Sequence, residues 1–189
     1  MGKVLFGMTI SLDGFVNDRN GDVSRLYPDL GALRQTEMLQ EVIKTTGAVV
    51  MGRRAYDMAE GDFTDYEFHV PIFVLTHHIP EKVAKGENGS LTFTFVTDDI
   101  ESAIEQAKAA AGDKYVTVIG GADTAQQCIK KGLLDELQIG IVPVLLGGGL
   151  RLFEHVGTEH IELERMRVIE SPGRTDLRFR VVKDGGNRP

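Results

Sequence analysis

The chain has 189 residues, of which 42% are hydrophobic, a length that suits one sizeable core and is short for two independent domains. Lys and Arg total 21 against 28 Asp and Glu, and the formal net charge of -7 argues against a general attraction to nucleic acid or anionic lipid. Cys128 is the only cysteine, which excludes an intrachain disulfide and a Cys-x-x-Cys metal or redox site.

The first predicted element is a buried strand over residues 4–10, and it ends in the turn formers Ser11, Asp13 and Gly14. The chain meets charge at Asp13, well short of the apolar length of a signal peptide or a membrane span. We therefore expect a cytoplasmic protein without a membrane partner.

Apolar residues at helical spacing predict a helix over residues 33–45, and Gly47 is its stop. Short buried strands are predicted at residues 48–51, 72–75 and 93–96, with a surface loop at residues 85–90.

The next predicted helix has Asp98 as its N-cap, Glu101 as the partner in a capping box, and Gly112 as its stop. A strand over residues 115–119 then turns through Gly120-Gly121 into a helix over residues 122–131. Strands that alternate with helices predict a largely parallel sheet covered on both faces.

The end of the chain has a different pattern, because apolar residues alternate in segments 137–141 and 177–181. A turn at residues 171–174 predicts an antiparallel hairpin of residues 161–169 and 175–182 that closes the sheet. The tail, residues 184–189, has no apolar side chain and is expected to be disordered. We thus predict one α/β domain over residues 1–183.

Two strand-to-helix turns are candidates for anion binding. Gly120-Gly121 would let the backbone approach a diphosphate, although two glycines also suit an ordinary sharp turn. Arg53 and Arg54 follow Gly52 at a second helix start, where each guanidinium can hold phosphate oxygens or simply be solvated. Both turns are expected at the same edge of the sheet, and the pairing favours an anion site.

Other polar positions leave alternatives open. Thr76, His77 and His78 follow a third strand at the edge where ligands of open α/β sheets bind. Adjacent histidines of a strand face opposite ways and have no nearby carboxylate, so no metal site is expected. Asp13 suits a general acid, an acceptor for a polar ring, or a turn residue. The glycines after residue 146 suit either a ligand-contacting bulge or a wide turn.

Six segments, taken in order, resemble a known family: Ser11-Leu12-Asp13-Gly14, Met51-Gly52-Arg53-Arg54, Val74-Leu75-Thr76, Val118-Ile119-Gly120-Gly121, residues 132–137 and residues 143–153. The chain is similar to the C-terminal reductase domain of the riboflavin-biosynthesis deaminase-reductase, a relative of dihydrofolate reductase, over about residues 3–182. The resemblance implies a dihydrofolate-reductase-like three-layer fold. Ala55 departs from the threonine usual in dihydrofolate reductases, and the zinc-binding deaminase half is absent, so a stand-alone reductase is expected.

The resemblance also implies an NADPH site and a substrate site. The implied cofactor-binding residues are Thr9, Ile10, Phe15, Val16, Gly52, Arg53, Arg54, Thr76, His77, Gly120, Gly121, Ala122, Asp123 and Thr124. Asp13, Leu146 and Gly147 are the candidate substrate contacts, and Asp13 or Asp29 is the candidate catalytic acid.

We therefore expect a homodimeric, cytoplasmic NADPH-dependent reductase of a pyrimidine or pteridine-like heterocycle, such as the ribosylaminopyrimidine of riboflavin synthesis. Two alternatives remain open. One is a dihydrofolate or pterin reductase, and the other is a non-catalytic nucleotide- or pterin-binding protein on the same fold.

Overall fold

The computed structural model describes residues 2–86 and 91–183. Its ten strands are β1 (Val4–Ser11), β2 (Thr46–Gly52), β3 (Asp62–Phe63), β4 (Ile72–Leu75), β5 (Lys85–Gly86), β6 (Phe93–Val96), β7 (Tyr115–Ile119), β8 (Glu136–Val142), β9 (Leu163–Ser171) and β10 (Arg174–Val181). The five helices are α1 (Leu30–Arg34), α2 (Glu37–Thr45), α3 (Arg53–Asp57), α4 (Ile100–Ala111) and α5 (Ala122–Lys130).

Eight strands form one sheet in the order β6-β4-β2-β7-β1-β8-β10-β9, and β3 pairs separately with β5. The six strands from β6 to β8 are mutually parallel, whereas β10 runs antiparallel to both β8 and β9. The predicted parallel sheet with a C-terminal antiparallel hairpin is confirmed. Within the described residues no helix is long and apolar enough to cross a membrane.

The sheet is buried on both faces because its central strands alternate apolar side chains between two clusters. One cluster joins Val4 and Phe6 of β1 to the buried faces of α4 and α5. The other joins Leu5 of β1 to Val42 of α2 and to an aromatic group around Tyr56 and Phe63. Helices therefore cover both faces, which gives the expected three layers.

Several predicted boundaries differ from the structure. The single helix expected at residues 33–45 is two helices, because Thr36 turns the chain and its hydroxyl accepts from the amide of Leu39. The N-cap of α4 is Asp99 rather than Asp98, since the Asp99 carboxylate accepts from the amide of Ser102 at 2.8 Å. Strand β9 begins at Leu163 and ends at Ser171, two residues later than expected at both ends.

The loop predicted at residues 85–90 is described only in part. Lys85–Gly86, predicted as part of a loop, pairs as a short strand with β3. Residues 87–90 of that loop, and the tail expected at residues 184–189, lie outside the described residues.

A buried ionic group joins α2 to the sheet. Arg178 of β10 donates through Nε to the Glu136 carboxylate at 2.9 Å and through Nη1 to Glu41 of α2 at 3.1 Å. Glu136 also accepts from Lys3 and from the hydroxyl of Tyr115. Burial alone would raise the pKa of Glu136, but the bonds from Arg178 and Lys3 outweigh it and hold the pKa below its usual range.

We expect Arg178→Met to lower the free energy of unfolding by about 3 kcal/mol near neutral pH, because it leaves a buried carboxylate without its guanidinium. The lowered pKa of Glu136 means that its stabilisation is present above the unfolded value of 4.5 and is lost as the pH falls. Urea unfolding should therefore show a difference between wild type and variant that is present at pH 7 and shrinks as the pH falls below 4.5.

The matched control is Arg180→Met, whose partner Glu164 has a side chain that is 58% exposed. That change should cost less than about 1 kcal/mol. Equal losses in the two variants would contradict a special role for the buried group.

Candidate functional site

The candidate site lies where the parallel strands end. The carboxyl ends of β1, β7, β2 and β4 are neighbours in the sheet, and α3 and α5 begin directly after β2 and β7. The crevice beyond such strand ends is where ligands of open α/β sheets bind. All the predicted polar turns therefore meet at one edge.

Close packing of the two strand-to-helix turns requires their glycines. A Cβ placed on Gly52 would stand 2.5 Å from the Thr124 hydroxyl oxygen, and one on Gly120 would stand 2.6 Å from the Cβ of Ala55. Gly120 also has φ of +68°, which disfavours any other residue. Ala55, which departs from the threonine of dihydrofolate reductases, is thus the small residue against which Gly120 packs.

The two helices that follow β2 and β7 have no side-chain cap. Asp29, Thr36 and Asp99 cap α1, α2 and α4 through hydrogen bonds to backbone amides. By contrast, the N-cap residue of α3 is Gly52 and that of α5 is Gly121, and neither has a capping side chain. The first-turn amides of α3 and α5 are therefore available to an anion.

The two arginines of α3 differ in their contacts. Arg53 donates to the Asp57 carboxylate at 2.8 Å and to the carbonyl of His78 at 2.7 Å, and its Nη1 lies 3.4 Å from the Thr76 hydroxyl oxygen. Arg54 is exposed, and its guanidinium has no hydrogen-bond or ion-pair partner in the described chain. Arg53 is thus committed to the end of β4, whereas Arg54 is free to bind an anion.

The remaining cofactor candidates occupy different environments. His77 is exposed beside Thr76, which is buried. Asp123 is exposed on the first turn of α5, where its carboxylate accepts from Gln127 at 2.7 Å. Its negative charge opposes an anion at the start of α5. Ala122 is buried beneath the turn.

Asp13 joins the loop after β1 to the loop after β8. Its carboxylate accepts from Ser11 Oγ at 2.6 Å, from the amide of Leu146 at 3.1 Å and from the amide of Gly147 at 2.8 Å. The Ser11 hydroxyl is the largest contributor among these donors, which together lower the pKa of Asp13 to about 2. The group is ionised at neutral pH, which argues against a role as proton donor.

A cavity of about 150 Å³ lies between β1, β7, β8 and β10 on one side and α1 and α2 on the other. Gly7 contributes to its floor, and no atom lies within 4 Å of a Cβ placed there, so the missing side chain leaves open space. The cavity lining consists of Leu5, Gly7, Met8, Thr9, Tyr27, Leu33, Thr36, Met38, Leu39, Val42, Glu67, Phe68, Thr117, Ile119, Gln138, Gly140, Arg174 and Asp176.

Polar groups of β8 and β10 line this cavity. Gln138 has a buried Oε1 atom without a hydrogen-bond partner. Arg174 and Asp176 form a two-bond ion pair, with Nη2 to Oδ1 at 2.6 Å and Nε to Oδ2 at 3.0 Å. Gly140 makes room for this pair, because a Cβ there would collide with the Arg174 guanidinium.

The structure places the predicted residues unevenly around the cavity. Thr9 lines it, whereas Ile10 and Val16 belong to the core cluster of the opposite sheet face. Phe15 is buried beneath the guanidinium of Arg151, whose Cζ lies 4.4 Å from the ring centre.

Neither the candidate catalytic residues nor the candidate substrate contacts line the cavity. Asp29 caps α1 through the amide of Ala32. The Asp13 carboxylate accepts hydrogen bonds from the amides of Leu146 and Gly147 in the loops. Sequence reasoning missed Gln138, Arg174 and Asp176. The available signal was the alternation of Glu136, Gln138 and Gly140 with apolar residues along β8, which marks one face of this central strand as polar.

The sequence of the chain is related to those of known proteins. The family model described as the RibD C-terminal domain matches residues 2–175. The uncharacterised protein YyaP of Bacillus subtilis (strain 168) is 26% identical over 159 residues, which is 80% of each chain.

Solved structures share the fold. A protein of Shewanella sp. PV-4 named for riboflavin biosynthesis superposes with a TM-score of 0.77 at 23% identity, over 97% of this chain and 100% of that one. A deaminase/5-amino-6-(5-phosphoribosylamino)uracil reductase from Thermotoga maritima gives 0.70 at 14% identity, over 96% of this chain and 57% of that one. Dihydrofolate reductase from Enterococcus faecalis, complexed with NADP(H), gives 0.62 at 13%, over 96% and 98%. The predicted dihydrofolate-reductase-like fold is confirmed.

We expect Gly120→Ala to lower the free energy of unfolding by about 2–4 kcal/mol, since it adds a rigid contact with Ala55 to the cost of a positive φ. Gly132→Ala is the matched control, because Gly132 has φ of +64° and no atom within 4 Å of its added Cβ. It should cost only about 1–2 kcal/mol in the same denaturant titration.

A double-mutant cycle isolates the contact. Combining Gly120→Ala with Ala55→Gly should recover at least about 0.5 kcal/mol relative to the sum of the single changes. Strict additivity would show that the two turns do not constrain each other.

Proposed function

Because the chain belongs to the RibD C-terminal domain family, we propose that it is an NADPH-dependent oxidoreductase that reduces a pyrimidine or pteridine-like ring. A ribosylaminouracil of riboflavin biosynthesis is the leading substrate candidate, since the Thermotoga maritima relative is named a reductase of 5-amino-6-(5-phosphoribosylamino)uracil. A pterin is the alternative ring, in keeping with the likeness to dihydrofolate reductase.

One observation carries the proposal. Of the five described helices, the two without a side-chain cap are α3 and α5, and both begin at the carboxyl edge of the sheet. Their first-turn amides and the unpartnered guanidinium of Arg54 suit the diphosphate and 2′-phosphate of NADPH. The Thr124 hydroxyl, beside both Gly52 and Gly121, is a further donor for a phosphate oxygen.

The adenosine end would lie near the end of β4. Arg53 ties Thr76 and the carbonyl of His78 to α3, so it shapes this wall while Arg54 supplies the free charge. His77 is exposed next to them and is available to contact a ribose.

The reacting ring would lie in the cavity. Bound NADPH supplies the hydride, and the task of the chain is to hold an acceptor ring beside it and to exclude water. Thr9 is the residue shared by the predicted cofactor contacts and the cavity lining, so it marks where the two ligands would meet. The loops tied together by Asp13 flank the end of β1 and would keep its backbone in place.

We expect NADPH to quench or shift fluorescence in a saturable titration, and Arg54→Ala to weaken the binding by about 1–3 kcal/mol through loss of a charge-assisted contact. Arg165→Ala is the matched control, because Arg165 is also exposed but lies on β9, away from this edge. It should leave the affinity unchanged. The absence of NADPH binding by the wild-type protein would refute the proposal.

A turnover assay distinguishes an enzyme from a non-catalytic binding protein with the same fold. Oxidation of NADPH with a ribosylaminouracil or a dihydropterin, followed at 340 nm, is expected of a reductase. Saturable NADPH binding without oxidation across both ring classes would favour the non-catalytic alternative.

A homodimer in the cytoplasm completes the proposal. Strand β9 is an edge of the sheet, and Leu163, Met166 and Val168 on it are each more than 40% exposed, an apolar strip that suits contact with a second copy. We expect sedimentation velocity to give twice the chain mass, and Val168→Lys to shift it toward the monomer. A wild-type monomer at micromolar concentration would contradict this part of the proposal.

A further inference from the structure

The polar groups of the cavity fall into two classes, those with a partner and those without. The hydroxyl of Thr36 donates to the carbonyl of Leu33, and the hydroxyl of Thr117 bonds to that of Thr46. Thr9, Tyr27 and Gln138, however, have side-chain polar groups with no hydrogen-bond partner in the described chain. All three of these groups are uncharged.

The charged groups of the cavity are already paired. The Arg174 guanidinium is held by both oxygens of Asp176, whose side chain is 3% exposed. Glu67 lies 3.5 Å from Arg34, which also donates to the carbonyl of Asp65. The lining thus presents two carboxylates and one guanidinium, and that guanidinium is not free.

This arrangement is unfavourable for an anionic ligand. A phosphate or carboxylate taken from water needs a cation or several donors to replace its hydration, and the two lining carboxylates would repel it. A neutral ring faces no such cost, because hydroxyl and amide groups can each donate to and accept from it. The buried Oε1 of Gln138 in particular needs a donor that the chain does not supply.

We propose that the cavity binds an uncharged heterocycle that carries both hydrogen-bond donors and acceptors, and that it discriminates against ligands bearing a phosphate or carboxylate. Gln138 is the principal contact, and Thr9 and Tyr27 complete the polar lining. The inference rests on the proposed function, since it takes the cavity as the place of the reacting ring. It narrows that function to an unphosphorylated substrate.

Two ligand pairs test the charge rule by isothermal titration calorimetry, with and without saturating NADPH. The pairs are 5-amino-6-(ribosylamino)uracil with its 5′-phosphate, and 6-methyl-7,8-dihydropterin with dihydrofolate. In whichever pair binds, the uncharged member should bind at least about ten-fold more tightly. Equal or tighter binding of the charged member, or no binding of either uncharged member at 1 mM, would overturn the inference.

Variants locate the binding in the cavity. Gln138→Leu should weaken binding of the uncharged ligand by about three- to ten-fold, the loss expected for a hydrogen bond to a neutral group. It should leave the affinity for NADPH unchanged. Gln106→Leu on the exposed face of α4 is the matched control and should have no effect. Gly7→Val places its Cβ where no atom lies within 4 Å and extends its methyl groups into the cavity, so it should keep the fold but abolish ring binding.

A fourth variant tests the repulsion itself. Glu67→Gln removes one lining carboxylate and leaves Arg34 without its partner, so the phosphorylated ligand should bind several-fold more tightly while the uncharged one is little changed. An unchanged preference would overturn the electrostatic explanation. Failure of NADPH binding alone would instead refute the proposed reductase, because the ring titrations without NADPH are independent of it.

Discussion

Helix α2 is held to the sheet in two different ways, and the cavity depends on that difference. On one side Val42, with Leu39 and Ile43, packs into the apolar cluster of β1 and β2. On the other side Glu37 and Glu41 form ion pairs with Arg167 and Arg178 of the antiparallel strands. The ion pairs are made by long side chains, so on this side α2 lies farther from the sheet than close apolar packing would place it. The cavity lies between the apolar contact and the ionic contact.

The buried charge at Glu136 makes this arrangement specific. A well-packed apolar group at the same place would often be as stable, so a buried ion pair is weak evidence for stability alone. Here it fixes the position of Arg178, which contacts Glu136 of the sheet and Glu41 of the helix at once. The same strands, β8 and β10, then present Gln138, Arg174 and Asp176 to the cavity. The polar residues that hold α2 and those that line the cavity therefore lie along the same two strands.

The sequence predicted the layers and the meeting of the glycine turns at one edge of the sheet because both depend on local patterns. Apolar alternation located the strands, and Gly52 and Gly120-Gly121 marked two strand-to-helix turns whose meeting follows from parallel topology. The cavity residues were missed because Gln138, Arg174 and Asp176 are brought together by the pairing of β8 with β10, a contact between distant segments. The helix over residues 33–45 was wrong because Thr36 serves as a cap and not as a helix residue.

The empty space above Gly7 has a consequence for how such a protein changes over time. Most positions in a buried sheet resist substitution, because an added methyl must displace a neighbour. Gly7 lies on a central strand but has no neighbour within 4 Å of the missing side chain. A side chain added at residue 7 would therefore reduce the volume of the cavity before it displaced a neighbour, so one substitution could change the size of the ring that we propose binds there.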